Sequence, residues 1–227
     1  MENAAMNVTC PSCGAALRFD GREQKLTCAS CGTKFAPEAM REAETVGNRL
    51  AEPGPREDLR DKVIITIDPE RARDFDDALS LEVLADGTRV LGVHIADVSH
   101  FVLPGGALDV EARRRGNSVY LPDRVIPMLP EQLANGVCSL RPDEDRLTLS
   151  VFMNVDGRGA MTGWRFAKTV IRSCRRLTYE QAMEVVRNGR GGDIATPAVT
   201  ELLQELHALS QQFRKRRFAE FALDLDM

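Results

Sequence analysis

Two copies of the pattern Cys-x-x-Cys-Gly, at Cys10–Gly14 and Cys28–Gly32, constrain the start of this chain more tightly than any other feature. A two-residue gap lets both thiolates of a pair face one point, and the following glycine permits the tight turn that brings backbone N–H groups to sulfur. Two such pairs, Cys10/Cys13 and Cys28/Cys31, form a tetrahedral four-thiolate site that Zn²⁺ accepts without strain. The segment between them is short enough for a hairpin, and Ala15, Leu17 and Phe19 alternate as strand residues do. The opening MENAAMNVTC has neither a basic nor an apolar leader, which argues against export and therefore against disulfides. A redox pair would need a βαβ setting that is missing around these cysteines. Four protein ligands leave no open coordination position, so the zinc is expected to hold structure rather than catalyse. Ribbons of this kind bind nucleic acid or protein, and the sequence leaves both open.

The second constraint is acidic. Val63 to Ile67 is a β-branched run that reads as a buried strand, and it runs into Asp68-Pro69 and then Asp74-Phe75-Asp76-Asp77. Gathering four carboxylates at one strand end costs several kcal/mol in like-charge repulsion unless a cation sits among them. All-oxygen ligation suits Mg²⁺, or Mn²⁺, with water and substrate phosphate completing the octahedron. An EF-hand does not fit, because the sixth and twelfth loop positions counted from Asp68 are not glycine and glutamate. The net charge, 30 basic against 34 acidic residues, excludes a generic basic coat for nucleic acid. Its distribution is uneven: Arg165, Lys168, Arg172, Arg175 and Arg176 follow one another with no acid between. An acidic pocket beside a basic stripe suits an enzyme that holds cations in one place and phosphates in another. At 43% apolar residues the chain is expected to fold, and no run approaches the ~18 apolar residues of a membrane span. A cytoplasmic protein without a membrane partner is expected.

The remaining signals concern scaffolding. A polar helix is expected over Pro37–Leu50, ended by Glu52-Pro53-Gly54-Pro55. Thr178-Tyr179-Glu180-Gln181 spells a capping box for a helix to about Arg187. Leu202, Leu203, Leu206, Leu209 and Phe213 recur as a core-facing helical stripe. His94 and His100 are expected as packed or hydrogen-bonded histidines, and Cys138 and Cys174 as buried thiols.

Thr66–Leu81, TIDPERARDFDDALSL, resembles the acidic signature of the ribonuclease II and ribonuclease R family, the RNB domain. GVHIADVSHFV from Gly92, the run from Arg115 to Val151, and RLTYEQA from Arg176 are also similar to that family. The resemblance implies a hydrolytic 3′-to-5′ exoribonuclease that acts on single-stranded RNA and releases 5′-mononucleotides. Asp68, Asp74, Asp76 and Asp77 match the family's four catalytic aspartates. By that analogy Asp68 and Asp77 ligate Mg²⁺ most directly, Asp74 supports the metal shell, and Asp76 is the most rate-sensitive. Tyr120 matches a family tyrosine that stacks on an RNA base. The implied architecture is α/β, a mixed sheet with flanking helices forming part of the RNB fold, plus the small zinc ribbon.

The expected organisation is a ribbon at residues 1–36, a linker at 37–57 and an RNB-type domain at 58–227 that stops partway. The ribbon stands where the family usually carries RNA-binding OB-folds. The family's later arginines, which hold the scissile phosphate, have no match. Two expectations follow: the chain belongs to a longer or split protein whose second chain supplies that half, or it is a non-catalytic RNA-binding or adaptor protein.

Overall fold

The computed structural model describes residues 9–10, 13–47, 54–122 and 125–219. In chain order the strands and helices are β1 (Leu17–Asp20), β2 (Lys25–Cys28), β3 (Lys34–Phe35), α1 (Pro37–Gly47), β4 (Glu57–Asp58), β5 (Ile65–Asp68), β6 (Asp77–Val83), β7 (Arg89–Ala96), α2 (Val98–Phe101), α3 (Ala107–Arg115), β8 (Val119–Tyr120), β9 (Val125–Ile126), β10 (Asp145–Val155), β11 (Met161–Arg172), β12 (Arg175–Thr178), α4 (Tyr179–Asn188) and α5 (Pro197–Ala219). They fall into two compact units, Met1–Ala51 with Asp97–Ser139, and Glu52–Ala96 with Leu140–Met227. The ribbon thus shares a unit with a segment that follows it by some fifty residues of chain.

In the first unit β1, β2 and β3 form an antiparallel sheet. Leu17, Leu26 and Phe35 pack with Cys10, Cys28 and Met40 of α1 into a small core. Phe19, expected to alternate with Leu17, is instead 55% exposed, because a three-stranded sheet this small buries little beyond its cysteine end. Helix α1 is described to Gly47; the rest of the expected span to Leu50, and the first half of its proline-rich stop, lie outside the described residues.

The second unit is built on a seven-stranded sheet of order β12-β5-β6-β7-β10-β11-β4. The β12–β5 and β11–β4 pairs are parallel and the others antiparallel, so the sheet is mixed. The β-branched run begins its strand at Ile65 rather than Val63, and Asp68 is its last residue, not the first beyond it. The longest hairpin, β10 to β11, turns at Asp156, whose Oδ1 accepts from the backbone N–H groups of Arg158 (2.9 Å) and Ala160 (2.8 Å). Such a carboxylate substitutes for a turn hydrogen bond.

Side chains alternate between the two faces of the sheet. One face carries Leu79, Val93 and Val151 in register, with Leu81, Leu91 and Met153 in the next row. Helices α4 and α5 cover part of it: Ile65 and Leu177 pack with Ala182, Val185, Val199, Leu202 and Leu203, while Leu209 packs with Leu91 and Val155. The expected helical stripe is therefore core-facing, with Leu206 and Phe213 half-buried at its rim. The capping box is present, Gln181 N donating to Thr178 Oγ1 and Thr178 N to Gln181 Oε1. The same face continues past the helices into exposed Ile95, Leu149, Trp164 and Phe166.

The opposite face holds a polar cluster. His94 is fully buried, with Nε2 2.9 Å from Ser80 Oγ and Nδ1 2.7 Å from Ser150 Oγ. Ser150 and Thr148 in turn meet Thr169. Gly92 permits this arrangement, since a Cβ there would lie 2.4 Å from Ser80 Oγ. Cys138 is buried as expected, but Cys174 is exposed, because it sits in the turn between β11 and β12 rather than under a helix.

Candidate functional site

At the cysteine cluster, Cys10 Sγ lies 3.5 Å from Cys31 Sγ, and Cys13 Sγ lies 3.4 Å from Cys28 Sγ. Neither distance is a disulfide, and all four sulfurs lie within 4.8 Å of one another, as thiolates around one tetrahedral ion do. Gly14 and Gly32 close the two turns at φ of 73° and 74°, which no side chain-bearing residue adopts freely. Burial pushes the Cys31 thiol up, but hydrogen bonding from the Thr33 hydroxyl and backbone, and from Cys10, outweighs it and brings the thiol down to about 6. Cys28 is lowered too, first by the backbone N–H of Cys31, 3.4 Å from its sulfur. Thiols that ionise this readily are prepared metal ligands.

The acidic site lies in the second unit. Asp68 ends β5 and Asp77 begins β6, so a single eight-residue connection, 69–76, carries the other two aspartates. Three contacts fix that connection. Arg176 of β12, one strand over, donates from Nη2 to the carbonyls of Pro69 (2.5 Å) and Glu70 (2.9 Å), with its guanidinium 5.5 Å from the Phe75 ring centre. Leu140 N donates to Phe75 O (2.8 Å), and Ala96 N to Asp76 O (3.0 Å). The parallel register of β12 and β5 sets Thr178 beside Asp68, so the amino end of α4 also starts at this point.

Asp68 is buried, and its Oδ2 has no hydrogen-bond partner. Burial raises its carboxyl above the usual range, Asp77 and Asp74 add to the rise, and the neighbouring Thr66 hydroxyl and then the Arg176 charge pull the other way. The Asp76 carboxyl is raised as well, by crowding of the surrounding protein and then by Asp74, Asp77 and Asp68. Asp68 and Asp77 line a cavity of about 550 Å³, walled mostly by apolar residues such as Leu79, Met183 and Phe213, with Tyr179, His207 and Ser210 as further polar lining.

The aspartates thus feel one another's charge. Among the described residues, however, only the four cysteines bring three or more ligand atoms within 4.8 Å. The donor set nonetheless fits a hard divalent cation: oxygen-only, with one orphaned buried oxygen and two carboxyls raised by burial and then by their acidic neighbours. Tyr120 belongs to the other unit, where it is 66% exposed on the β8–β9 hairpin. Arg176 is the residue that sequence reasoning passed over, counting it only within a basic stripe. Its place in RLTYEQA, next to the cap of α4, was the available signal.

A family model described as "RNB domain" matches residues 56–227, most of the chain. The chain belongs to the RNB family. Ribonuclease R of Thermotoga maritima is 51% identical to this RNB chain over 157 residues, covering 68% of the chain and 22% of the relative. DIS3-like exonuclease 2 of Schizosaccharomyces pombe is 47% identical over 182 residues, covering 75% and 20%. Among solved structures, Mycoplasma genitalium RNase R in complex with ribose-methylated single-stranded RNA superposes with a TM-score of 0.76 at 30% identity, over 83% of this chain and 30% of that one. The mixed sheet with its helices is therefore that of RNase R, and the chain spans about a fifth of the length of these curated relatives. Among the described residues no helix is long and apolar enough to cross a membrane.

Proposed function

We propose that this chain supplies the aspartate half of a hydrolytic 3′-to-5′ exoribonuclease site, acting on single-stranded RNA and releasing 5′-mononucleotides. The observation that carries the proposal is the placement of Asp68 and Asp77 at two adjacent strand ends, facing one cavity, with a buried carboxylate oxygen left unpaired. Likeness to proteins named ribonuclease R and DIS3-like exonuclease 2 supports the reaction class.

Asp68 and Asp77 would hold Mg²⁺ most directly, Asp74 would support the shell, and Asp76 would orient the attacking water. A divalent cation held there would supply an acidified water and charge neutralisation at the leaving oxygen. Arg176 holds the loop that carries Asp74 and Asp76 by its two carbonyls, so the carboxylates are positioned before substrate arrives. Tyr120 would stack on a base, a contact indifferent to sequence. Zn²⁺ would sit in the ribbon as a structural ion.

In this proposal the working enzyme comprises a ribbon (1–36), a connecting helix and linker (37–57) and the RNB-type module (58–227), in the cytoplasm. The exposed apolar row Ile95, Leu149, Phe166 and Trp164 favours a further protein surface packed on the sheet, from a longer polypeptide or a second chain that completes the domain. The one rival is a zinc-ribbon RNA-binding or adaptor protein without turnover, which the clustered ribbon thiols would equally serve. Incubation of the zinc-loaded chain with 5′-labelled single-stranded RNA and Mg²⁺ decides between them. Progressive shortening from the 3′ end with mononucleotide release supports the nuclease. Binding without shortening, with and without the remainder of an RNB protein added in trans, supports the adaptor.

A further inference from the structure

The ribbon is not a free-standing module, and what it touches lies in its own chain. Phe35, at the end of β3, is fully buried in the same small core as Cys10 and Cys28. Its ring also faces the guanidinium of Arg115, 4.2 Å from the ring centre. Arg115 donates from Nη2 to the carbonyl of Lys34, so it grips the ribbon by both backbone and ring. The same guanidinium donates to Glu111 Oε1 from Nε (3.0 Å) and Nη2 (2.9 Å), and from Nη1 to the carbonyl of Pro127 (3.3 Å).

Pro127 directly follows β9, and Met128 N donates to Ser118 Oγ (2.9 Å) across the base of the β8–β9 hairpin. That hairpin carries Tyr120, paired with Val125. A second brace runs through α1, which packs on α3 and on the wide helical turn at Gln132–Val137. Glu42 of α1 accepts from Leu108 N (3.1 Å) at the start of α3, where a Cβ on Gly106 would lie 2.7 Å from its Oε1. Arg115 and Glu111 are nearly buried, with side chains 13% and 9% exposed. A charged pair withdrawn from water in this way holds a defined geometry, because loss of Glu111 leaves the buried Arg115 charge without its carboxylate, while Glu111 keeps only the longer contact to Arg114 (3.7 Å) if Arg115 is lost. The guanidinium fork, reaching four acceptors or faces at once, is a role a lysine cannot fill.

We propose that Arg115 is a positioning residue through which the metal-loaded ribbon fixes the β8–β9 hairpin, so that zinc occupancy sets the order of the segment bearing Tyr120. The ribbon's partner is then this chain's own hairpin. The bearing on RNA rests on the proposed role of Tyr120, but the coupling itself does not.

Hydrogen–deuterium exchange on the full chain tests it without RNA or turnover, so its failure is separable from failure of the nuclease proposal. Arg115→Lys is expected to keep its zinc content while hairpin amides at Val119, Tyr120, Val125 and Ile126 exchange about tenfold faster, the factor expected for one lost hydrogen bond to a charged group. Glu111→Gln, which loosens Arg115 without touching the ribbon, is expected to do the same. Zinc removal by chelator should accelerate the wild-type hairpin by a similar factor and add nothing in Arg115→Lys, with the β10–β11 amides unchanged throughout as the folding control. A hairpin whose exchange is indifferent to zinc while the β1–β2 amides open, or accelerations that multiply between metal loss and Arg115→Lys, would overturn the coupling.

Discussion

Acid should weaken the large sheet of this protein through His94. Its imidazole is fully buried in the sheet, with a serine hydroxyl on each nitrogen. A neutral ring offers one donor and one acceptor there, which the two hydroxyls satisfy by rotation. Burial pulls its pKa down from 6.5 to about 4. The folded value lies below the unfolded one, so the folded chain binds fewer protons than the unfolded chain between them. The stabilisation is therefore complete above the unfolded value, falls as pH drops through 6.5, and is spent near 4. At ~1.4 kcal/mol per unit, the loss over that interval is about 3 kcal/mol. The assay is a urea midpoint measured from pH 7.5 to 4.5 on wild type and His94→Gln, which stays neutral and can still bond to a serine. Every other group, Cys31 included, is common to both proteins, so the difference between the two profiles isolates the imidazole. NMR of the three histidines supplies the direct titration. Parallel profiles, or a His94 ring that titrates near 6.5, would refute the assignment of the loss to burial.

Other perturbations have defined outcomes. Gly92→Ala should destabilise the chain by roughly 2 kcal/mol, since its Cβ would lie 2.4 Å from Ser80 Oγ and 2.9 Å from His94 Nε2 and would force apart the hydrogen bond between them, and thermal unfolding reads the shift. Arg176→Gln should loosen the acidic connection by losing two charged hydrogen bonds, at about 1.5–3 kcal/mol, and the 70–76 amides should exchange faster while β10–β11 stays protected. Asp76→Asn should abolish mononucleotide release while leaving RNA affinity, measured by fluorescence anisotropy, within about twofold; equal loss of both would contradict its proposed role at the attacking water.

Much of this structure was legible in the chain because local chemistry dictated it. The cysteine spacing and its glycines left few alternatives to a four-sulfur cluster, and the structure brings those sulfurs together. Thr178 and Gln181 cap α4 because their side chains sit three residues apart, whatever the rest of the fold does. The leucine stripe of α5 was visible for the same reason. What stayed hidden depends on contacts distant in sequence. Arg176 acts on the carbonyls of Pro69 and Glu70 only because β12 lies parallel to β5. The union of the ribbon with α3 runs through Arg115 and Phe35, some eighty positions apart. The exposure of Phe19 and Cys174 depends on how much sheet or helix happens to cover them. The aspartates are an intermediate case: four of them within ten positions are legible in the sequence, but the burial of Asp68 and the shared cavity of Asp68 and Asp77 come from the pairing of β5 with β6 and from the helices beside them.

The central claim is that this turn gathers a divalent cation. Crystals soaked in MnCl₂ and measured at the manganese absorption edge test it most directly. The expected result is an anomalous peak with oxygens of Asp68 and Asp77 at roughly 2.1–2.2 Å and waters completing the shell. Density showing the four side chains still apart, with no peak between Asp68 and Asp77 at saturating manganese, would contradict it.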